Sequence, residues 1–357
     1  MIIGTILAFI IVLGVLVFVH EFGHFIVAKS VGIYVEEFSL GLGPLIWKRQ
    51  GAETQYSIRS LPLGGYCKMA GDNPHDDKIT GTTNVDQERI PEHRMFYAKT
   101  VWQRALVVAA GPIMNFIVAA LIFGVIFMIL GIPTALSNKP IIGEISPGGP
   151  AAQAGLLPGD RILSVDGIKV ESWDQLAEQI RSKANQDVIL KVQRGEVIFE
   201  TVVQPRQERP DGPGLIGIVP KAEARERVPL HTALWYGLLQ TFHLLIALVV
   251  GLFELLTGKL TGPIAGPVGI AKMAGQAARF GLESLLNLTA VLSVNLGVLN
   301  LLPFPALDGG RLAFLGVEVL RRKPVDPERE GLVHFIGFAL LMLLILFITF
   351  REVVSLF

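Results

Sequence analysis

Long uncharged stretches alternate along the chain with shorter charged ones. Residues 2–19 carry no charge, and at 1.5 Å of rise per helical residue they reach about 27 Å, close to the roughly 30 Å of a bilayer's hydrocarbon core. Residues 105–138 are again uncharged, and Pro133 marks the expected end of a second span. Residues 284–307 predict a third span, and 335–350, extended back over Leu332, a shorter fourth. A fifth apolar stretch, 231–253, carries a weak stripe of polar and small residues: Tyr236, Gln240, His243, Ala247, Gly251 and Glu254. Steps of three or four suit a helix lying along an interface. Met1 runs straight into the first apolar stretch, without the basic n-region and small-residue cleavage site of a signal peptide, so this segment is expected to stay as a membrane helix.

Between the first two spans the period shortens. Residues 35–40, 45–48, 54–58 and 66–69 read as short strands punctuated by Gly and Pro, hence hairpins. Residues 72–94 are polar and predict a loop, with a surface helix near 94–103. After the second span, residues 141–145, 161–165, 188–193 and 197–203 have strand composition, while 173–182 has helical spacing behind a Ser172 cap.

Composition sharpens this picture. Hydrophobic residues make up 51% of 357; with Gly counted in and Tyr left out the share is about 60%, against roughly 45–50% in soluble domains. Charged residues are only 17%, which argues against a fully soluble, disordered or nucleic-acid-binding chain. The 31 basic and 31 acidic residues cancel, so orientation must be read from local asymmetry. Basic residues crowd the segments between spans one and two and between spans three and four, which by the positive-inside rule face the cytoplasm. The single cysteine, Cys67, excludes an intramolecular disulfide or a Cys-rich metal site and is expected to be a small buried side chain.

The candidate chemistry lies at the cytoplasmic end of span one, in His20-Glu21-Phe22-Gly23-His24. On a helix, residues four apart share a face, so both imidazoles can reach one metal, with Glu21 nearby as base for a water. Catalytic zinc normally keeps three protein ligands, so a distant third is expected. The third span ends in Asn300-Leu-Leu-Pro-Phe-Pro-Ala-Leu-Asp308-Gly-Gly. Two prolines there break the helix, and broken backbone at membrane depth requires protein or a wet cavity to satisfy it. Asp308 is either the third ligand or a cap for the following helix. Asn300 is placed to hydrogen-bond substrate backbone, while His75, His93, His231, His243 and His334 are not expected to be ligands.

H-E-x-x-H in a first span with N-x-x-P-x-P-x-L-D-G near the end of a later one resembles the site-2 protease family of intramembrane zinc metalloproteases, of the bacterial regulator-of-sigma-E protease type. The likeness extends to Gly41–Pro44, Leu61–Tyr66, Gly111-Pro112 with Asn115, and Gly266–Ile270. It implies Zn2+ held by His20, His24 and Asp308, water activated by Glu21, substrate held by Asn300, and a β-sheet beside the metal, partly in the membrane. The implied substrates are transmembrane segments of membrane-tethered regulators, such as anti-sigma factors already trimmed outside, or remnant signal peptides. Ala154–Leu163 with Val165-Asp166-Gly167 resembles the PDZ fold, which takes peptide ends or extended strands, or here gates the membrane site.

The expected fold is a multispan α-helical protein of a bacterial cytoplasmic membrane, with about four transmembrane helices, a membrane-associated β-hairpin sheet and one extracytoplasmic PDZ domain. Its segments are helix one (1–30), re-entrant hairpins (31–72), cytoplasmic loop (73–102), helix two (103–133), PDZ domain (139–206), linker (207–230), interfacial helix (231–258), helix three (281–306), cytoplasmic loop or helix (307–331) and helix four (332–351). If 231–258 crossed after an outward domain, Asp308 would face the side opposite His20 and His24, a hydrocarbon thickness away. Partners are therefore the bilayer and transmembrane substrates, with no nucleic acid. A zinc transporter, or a catalytically inactive PDZ scaffold, is the alternative; the first has no need for a PDZ domain, the second none for Glu21.

Overall fold

The computed structural model describes residues 2–72, 90–207, 209, 212–259 and 265–354. In chain order the elements begin with α1 (Ile2–Ser30), the antiparallel strands β1 (Val35–Gln50) and β2 (Gln55–Met69), and α2 (Val101–Leu130). Then come β3 (Ile132–Leu136), β4 (Ile142–Ile145), α3 (Pro150–Gln153), β5 (Arg161–Val165), β6 (Ile168–Lys169), α4 (Trp173–Arg181), β7 (Val188–Arg194) and β8 (Val197–Val203). Short strands β9 (Arg206–Gln207), β10 (Gly214–Leu215), β11 (Ile218–Pro220) and β12 (Ala222–Glu226) lead to helices α5 (Leu230–Leu256), α6 (Pro267–Phe280), α7 (Leu282–Leu301), α8 (Asp308–Arg321) and α9 (Pro327–Val354). Five of these helices, α1, α2, α5, α7 and α9, are long and apolar enough to cross a membrane. The chain folds as two compact units: a motif unit of Ile10–Ala119 and Leu292–Phe347, and a domain unit of Met1–Phe9, Ala120–Val291 and Ile348–Phe357.

In the motif unit, α1 runs on for eleven residues beyond the uncharged stretch, so the H-E-x-x-H sequence is helical throughout. The two long strands fold back on themselves at bulges. Phe38 pairs with both Tyr56 and Cys67, and Ser57 with both Ser39 and Lys48, giving a spatial order of 45–50, 55–58, 35–40 and 65–69. These are the four short strands expected from the sequence. Gly41 lies at a bulge with φ +90, and a Cβ there would sit 2.8 Å from the Leu61 carbonyl, so only glycine lets the strands close. The inner half of the sheet buries Val35, Phe38, Cys67 and Met69 against Ala28, Ile33 and Val107, while its outer half exposes Leu42, Leu45, Ile46 and Trp47.

Of the helix expected near 94–103, only 101–103 are helical, as the start of α2. Glu92–Arg94 makes one 3-10 turn, and turns follow over 95–99, tied by Phe96 N–H to the Ala70 carbonyl. Thr100 and Gln103 then cap each other reciprocally: Gln103 N–H donates to Thr100 Oγ1 at 3.3 Å and Thr100 N–H to Gln103 Oε1 at 3.1 Å. This capping box starts α2 at Val101. His75 and most of the polar loop lie outside the described residues.

The domain unit centres on the sheet β6-β5-β7-β8, with β4 pairing β11. Its core contains Ile142, Leu156, Ile162, Val165, Leu176, Leu190 and Val192. Ser172 Oγ accepts from Gln175 N–H, so α4 is capped as the sequence predicts. The stretch 207–230, expected as a linker, holds short strands that join this unit: Ile216 is buried in its core and β11 pairs with β4. α5 packs through a face of small residues. Ala233, Gly237 and Thr241 are buried, and a Cβ on Gly237 would lie 2.6 Å from Gly124 N on α2, a close crossing of small residues. α6 has no counterpart in the sequence reading; the Glu352 carboxylate caps it, accepting from the N–H groups of Gly266, Val268 and Gly269 at 2.7–3.1 Å.

Candidate metal centre and active-site cavity

Within the motif unit, one face of α2 makes the wall against which both imidazoles of α1 rest. Val107, Gly111 and Asn115 follow one another at intervals of four, so they stack along that face. His24 Nδ1 lies 2.8 Å from the Val107 carbonyl. A carbonyl only accepts, so Nδ1 carries the hydrogen and neutral His24 offers a bare lone pair at Nε2. Asn115 lies 3.1 Å from His20 Nδ1 through its side-chain amide. Between them, a Cβ on Gly111 would fall 2.3 Å from His24 Nε2 and 2.9 Å from His20 Cε1. Glycine is therefore required where α2 passes the imidazole pair.

The third member arrives from far along the chain. After α7 the segment Pro303-Phe304-Pro305 cannot continue the helix, and Ala306 turns with φ +76. His334 on α9 holds this turn, its Nδ1 accepting from Ala306 N–H at 2.9 Å. Gly309 and Gly310 admit the broken backbone: a Cβ on Gly309 would stand 2.2 Å from the Leu302 carbonyl oxygen, and one on Gly310 2.4 Å from that of Phe304. The result places Asp308 Oδ2 3.1 Å from His20 Nε2 and 3.4 Å from His24 Nε2, with the two Nε2 atoms 3.2 Å apart.

These three spacings test whether the residues fit a metal. Ligand atoms 2.0–2.1 Å from a tetrahedral zinc are about 3.3 Å from one another. The three observed edges bracket that value. The three atoms lie close together, Asp308 Oδ2 is buried with no hydrogen-bond partner, and neutral imidazoles put at most one hydrogen among them. Lone pairs converging this closely in a buried place repel unless a cation lies between them. His20, His24 and Asp308 can hold one.

The cluster forms one side of a cavity of about 460 Å³. Glu21, Asn300 and the sheet segment Gly65-Tyr66-Cys67 also line it. Gly65 lets that segment pass α1, because a Cβ would lie 2.9 Å from Val17 Cγ1 and 3.2 Å from Glu21 Cγ. Arg311, one helical turn after Asp308, lines the cavity too and donates to both carboxylate oxygens of Asp72 at 2.8 and 3.1 Å. All five residues singled out from the sequence thus meet at this cavity. Sequence reasoning missed Arg311, and gave Asn115 and His334 no role. The i+3 step from Asp308 was a signal for Arg311; nothing local pointed to the other two, whose partners are 95 and 28 residues away.

The model of peptidase family M50 matches residues 8–344. The chain therefore belongs to that family: it is a zinc metalloprotease of the intramembrane site-2 type, with Zn2+ as its cofactor. It is similar along its whole length to characterised sequences. Zinc metalloprotease RasP of Geobacillus kaustophilus is 35% identical, covering 99% of this chain and 98% of its own. Regulator of sigma-W protease RasP of Bacillus subtilis is 36% identical, covering 100% of both. Among solved structures, the PDZ domain of an SdrC-like protein from Listeria monocytogenes is similar at 22% identity and a TM-score of 0.22, covering 24% of this chain and 92% of that one.

Proposed function

We propose that this chain hydrolyses a peptide bond within a transmembrane segment of a membrane-tethered regulator, of the anti-sigma-factor kind, or of a remnant signal peptide. The observation that carries this is the convergence of His20, His24 and Asp308 in the wall of a cavity that also holds Glu21 and a strand at the end of a sheet. His20 Nε2, His24 Nε2 and an Asp308 oxygen are the zinc ligands. Zinc held there lowers the pKa of a water towards about 7 and polarises the scissile carbonyl. Glu21 takes the water's proton on its carboxylate and passes it to the leaving amine nitrogen. Asn300 and the 65–69 segment hold the substrate extended, a state that a helical transmembrane segment reaches only by giving up its own hydrogen bonds, which an added strand restores.

The topology that fits is four crossings by α1, α2, α7 and α9 of a bacterial cytoplasmic membrane, with the cavity near the cytoplasmic side and the domain at 139–206 outside. The proximity of Asp308 to His20 and His24 supports this, since a crossing by α5 would separate them. Exposed Leu42, Ile46 and Trp47 suit a hairpin dipping into lipid. The outer domain, of PDZ type, gates the cavity or binds extracytoplasmic peptide.

The deciding comparison is wild type against Glu21→Gln, reading bound zinc and cleavage of a tethered reporter. Zinc content should be unchanged and cleavage should fall at least about a hundredfold, the range of general acid–base catalysis. Equal cleavage by both proteins would remove Glu21 from the mechanism.

A further inference from the structure

Asn115 is fully buried, yet its side chain is only half used: Nδ2 lies 3.1 Å from His20 Nδ1, and Oδ1 has no hydrogen-bond partner. The position is firmly held. Ser293 Oγ donates to the Asn115 carbonyl at 2.8 Å, anchoring α2 to α7 at this residue. With Nδ2 toward the ring, His20 Nδ1 must accept, which puts the ring hydrogen on Nε2, the atom aimed at His24 and Asp308. A protonated Nε2 is no metal ligand. The two ends of an asparagine amide are nearly identical in size and shape, so a half-turn about χ2 exchanges them within the same volume. The exchange turns the unpaired Oδ1 toward the ring as acceptor, leaves the hydrogen on Nδ1, and bares the Nε2 lone pair.

We propose that Asn115 is a positioning residue: Oδ1 accepts from His20 Nδ1–H, fixes the imidazole in the tautomer that presents Nε2, and orients it toward the ion. It does for His20 what the Val107 carbonyl does for His24 from one helical face, with Gly111 between them. Ligating histidines usually donate their second ring nitrogen to such an acceptor, and its loss typically weakens metal binding 10–100-fold. This inference rests on the assignment of His20 as a zinc ligand and adds a residue that does not touch the metal.

The test uses full-length protein in detergent, with zinc dissociation measured against a chromophoric chelator and thermal unfolding of the zinc-free protein as the folding check. Three variants decide it. Asn115→Asp keeps an acceptor but has no donor, so zinc affinity should stay within about threefold of wild type or rise. Asn115→Leu removes the acceptor and should weaken zinc about 10–100-fold. His20→Ala should weaken it more than either. A tenfold or greater loss in Asn115→Asp, with the zinc-free protein folded, would mean that the amide donates and would overturn the proposal. So would an unchanged affinity in Asn115→Leu. Unchanged zinc in His20→Ala would instead overturn the ligand assignment beneath it. If Asn115→Leu does not fold, 15N-histidine spectra of zinc-loaded wild type decide: hydrogen on His20 Nδ1 supports the proposal, and hydrogen on Nε2 refutes it.

Discussion

The motif unit and the domain unit each hold an aspartate with a buried carboxylate oxygen, and they treat it in opposite ways. Asp160 in the domain unit is 1% exposed, and its carboxylate is fully engaged: Arg194 Nε and Nη2 donate to the two oxygens at 2.7 Å, and Leu157 N–H donates to Oδ2 at 2.9 Å. Asp308 in the motif unit meets only two imidazole nitrogens, and its Oδ2 has no hydrogen-bond partner. The first carboxylate closes a turn, and both of its oxygens have donors. The second retains capacity, and in a buried setting that unfilled capacity calls for a cation. What separates the two is the completeness of their partners, since each has a buried carboxylate oxygen and both follow leucine-rich sequence.

The sharpest way to break this contrast is to remove each aspartate. Asp308→Ala should lower zinc affinity by at least about a thousandfold and abolish cleavage, because two imidazoles are a poor zinc site. Metal analysis of the purified protein checks this, and retained stoichiometric zinc would deny Asp308 its place. A smaller effect is expected from Gly111→Ala, whose Cβ would fall 2.3 Å from His24 Nε2. It should weaken zinc binding and cost about 1–3 kcal/mol in thermal unfolding, as overpacking does. In the domain unit, Arg194→Met leaves Asp160 buried without its ion partner, which should destabilise that unit by about 3 kcal/mol while leaving zinc content unchanged. Calorimetry together with metal analysis of the full chain separates the two readouts.

The smallest expected effect depends on pH. The Lys183 ammonium, hydrogen-bonded to Asp166, and the Ile189 N–H hold the Asp166 carboxyl below the usual aspartate range. Its contribution is therefore present above the unfolded value of about 3.9 and is lost as pH falls through the lower folded value. Asp166→Asn should flatten this acid limb by less than about 1 kcal/mol, since the pair is partly solvated. Asparagine tolerates the left-handed φ of +50 at this position, so the turn is kept. Unfolding scans between about pH 2 and 5 give the comparison.

Local pattern reached surprisingly far where local forces decide. The helices α1, α2, α7 and α9 follow from uncharged runs, because in lipid a backbone must satisfy itself and a helix does so within one segment. The Ser172 cap and the four short strands between α1 and α2 are equally local. Pattern misled at residues 94–100, before α2 begins, where the chain is tied instead by the hydrogen bond from Phe96 to Ala70. Pattern said nothing of how α5 packs, where the small residues Ala233 and Gly237 make the contact. A hydropathy stripe records what avoids lipid, whereas close helix crossing selects for lack of bulk.

The sequence by itself determined the metal chemistry: two histidines four apart on a helix, a glutamate beside the first, and an aspartate after a broken span have few other uses together. Only the tertiary structure decided that the aspartate reaches the histidines, that Val107 and Asn115 lie against the two imidazoles, and that His334 holds the turn before Asp308. The physical reason is range. Helical spacing and proline breaks act within a few residues, whereas the atom beside each imidazole is brought there from 83 or 95 residues away.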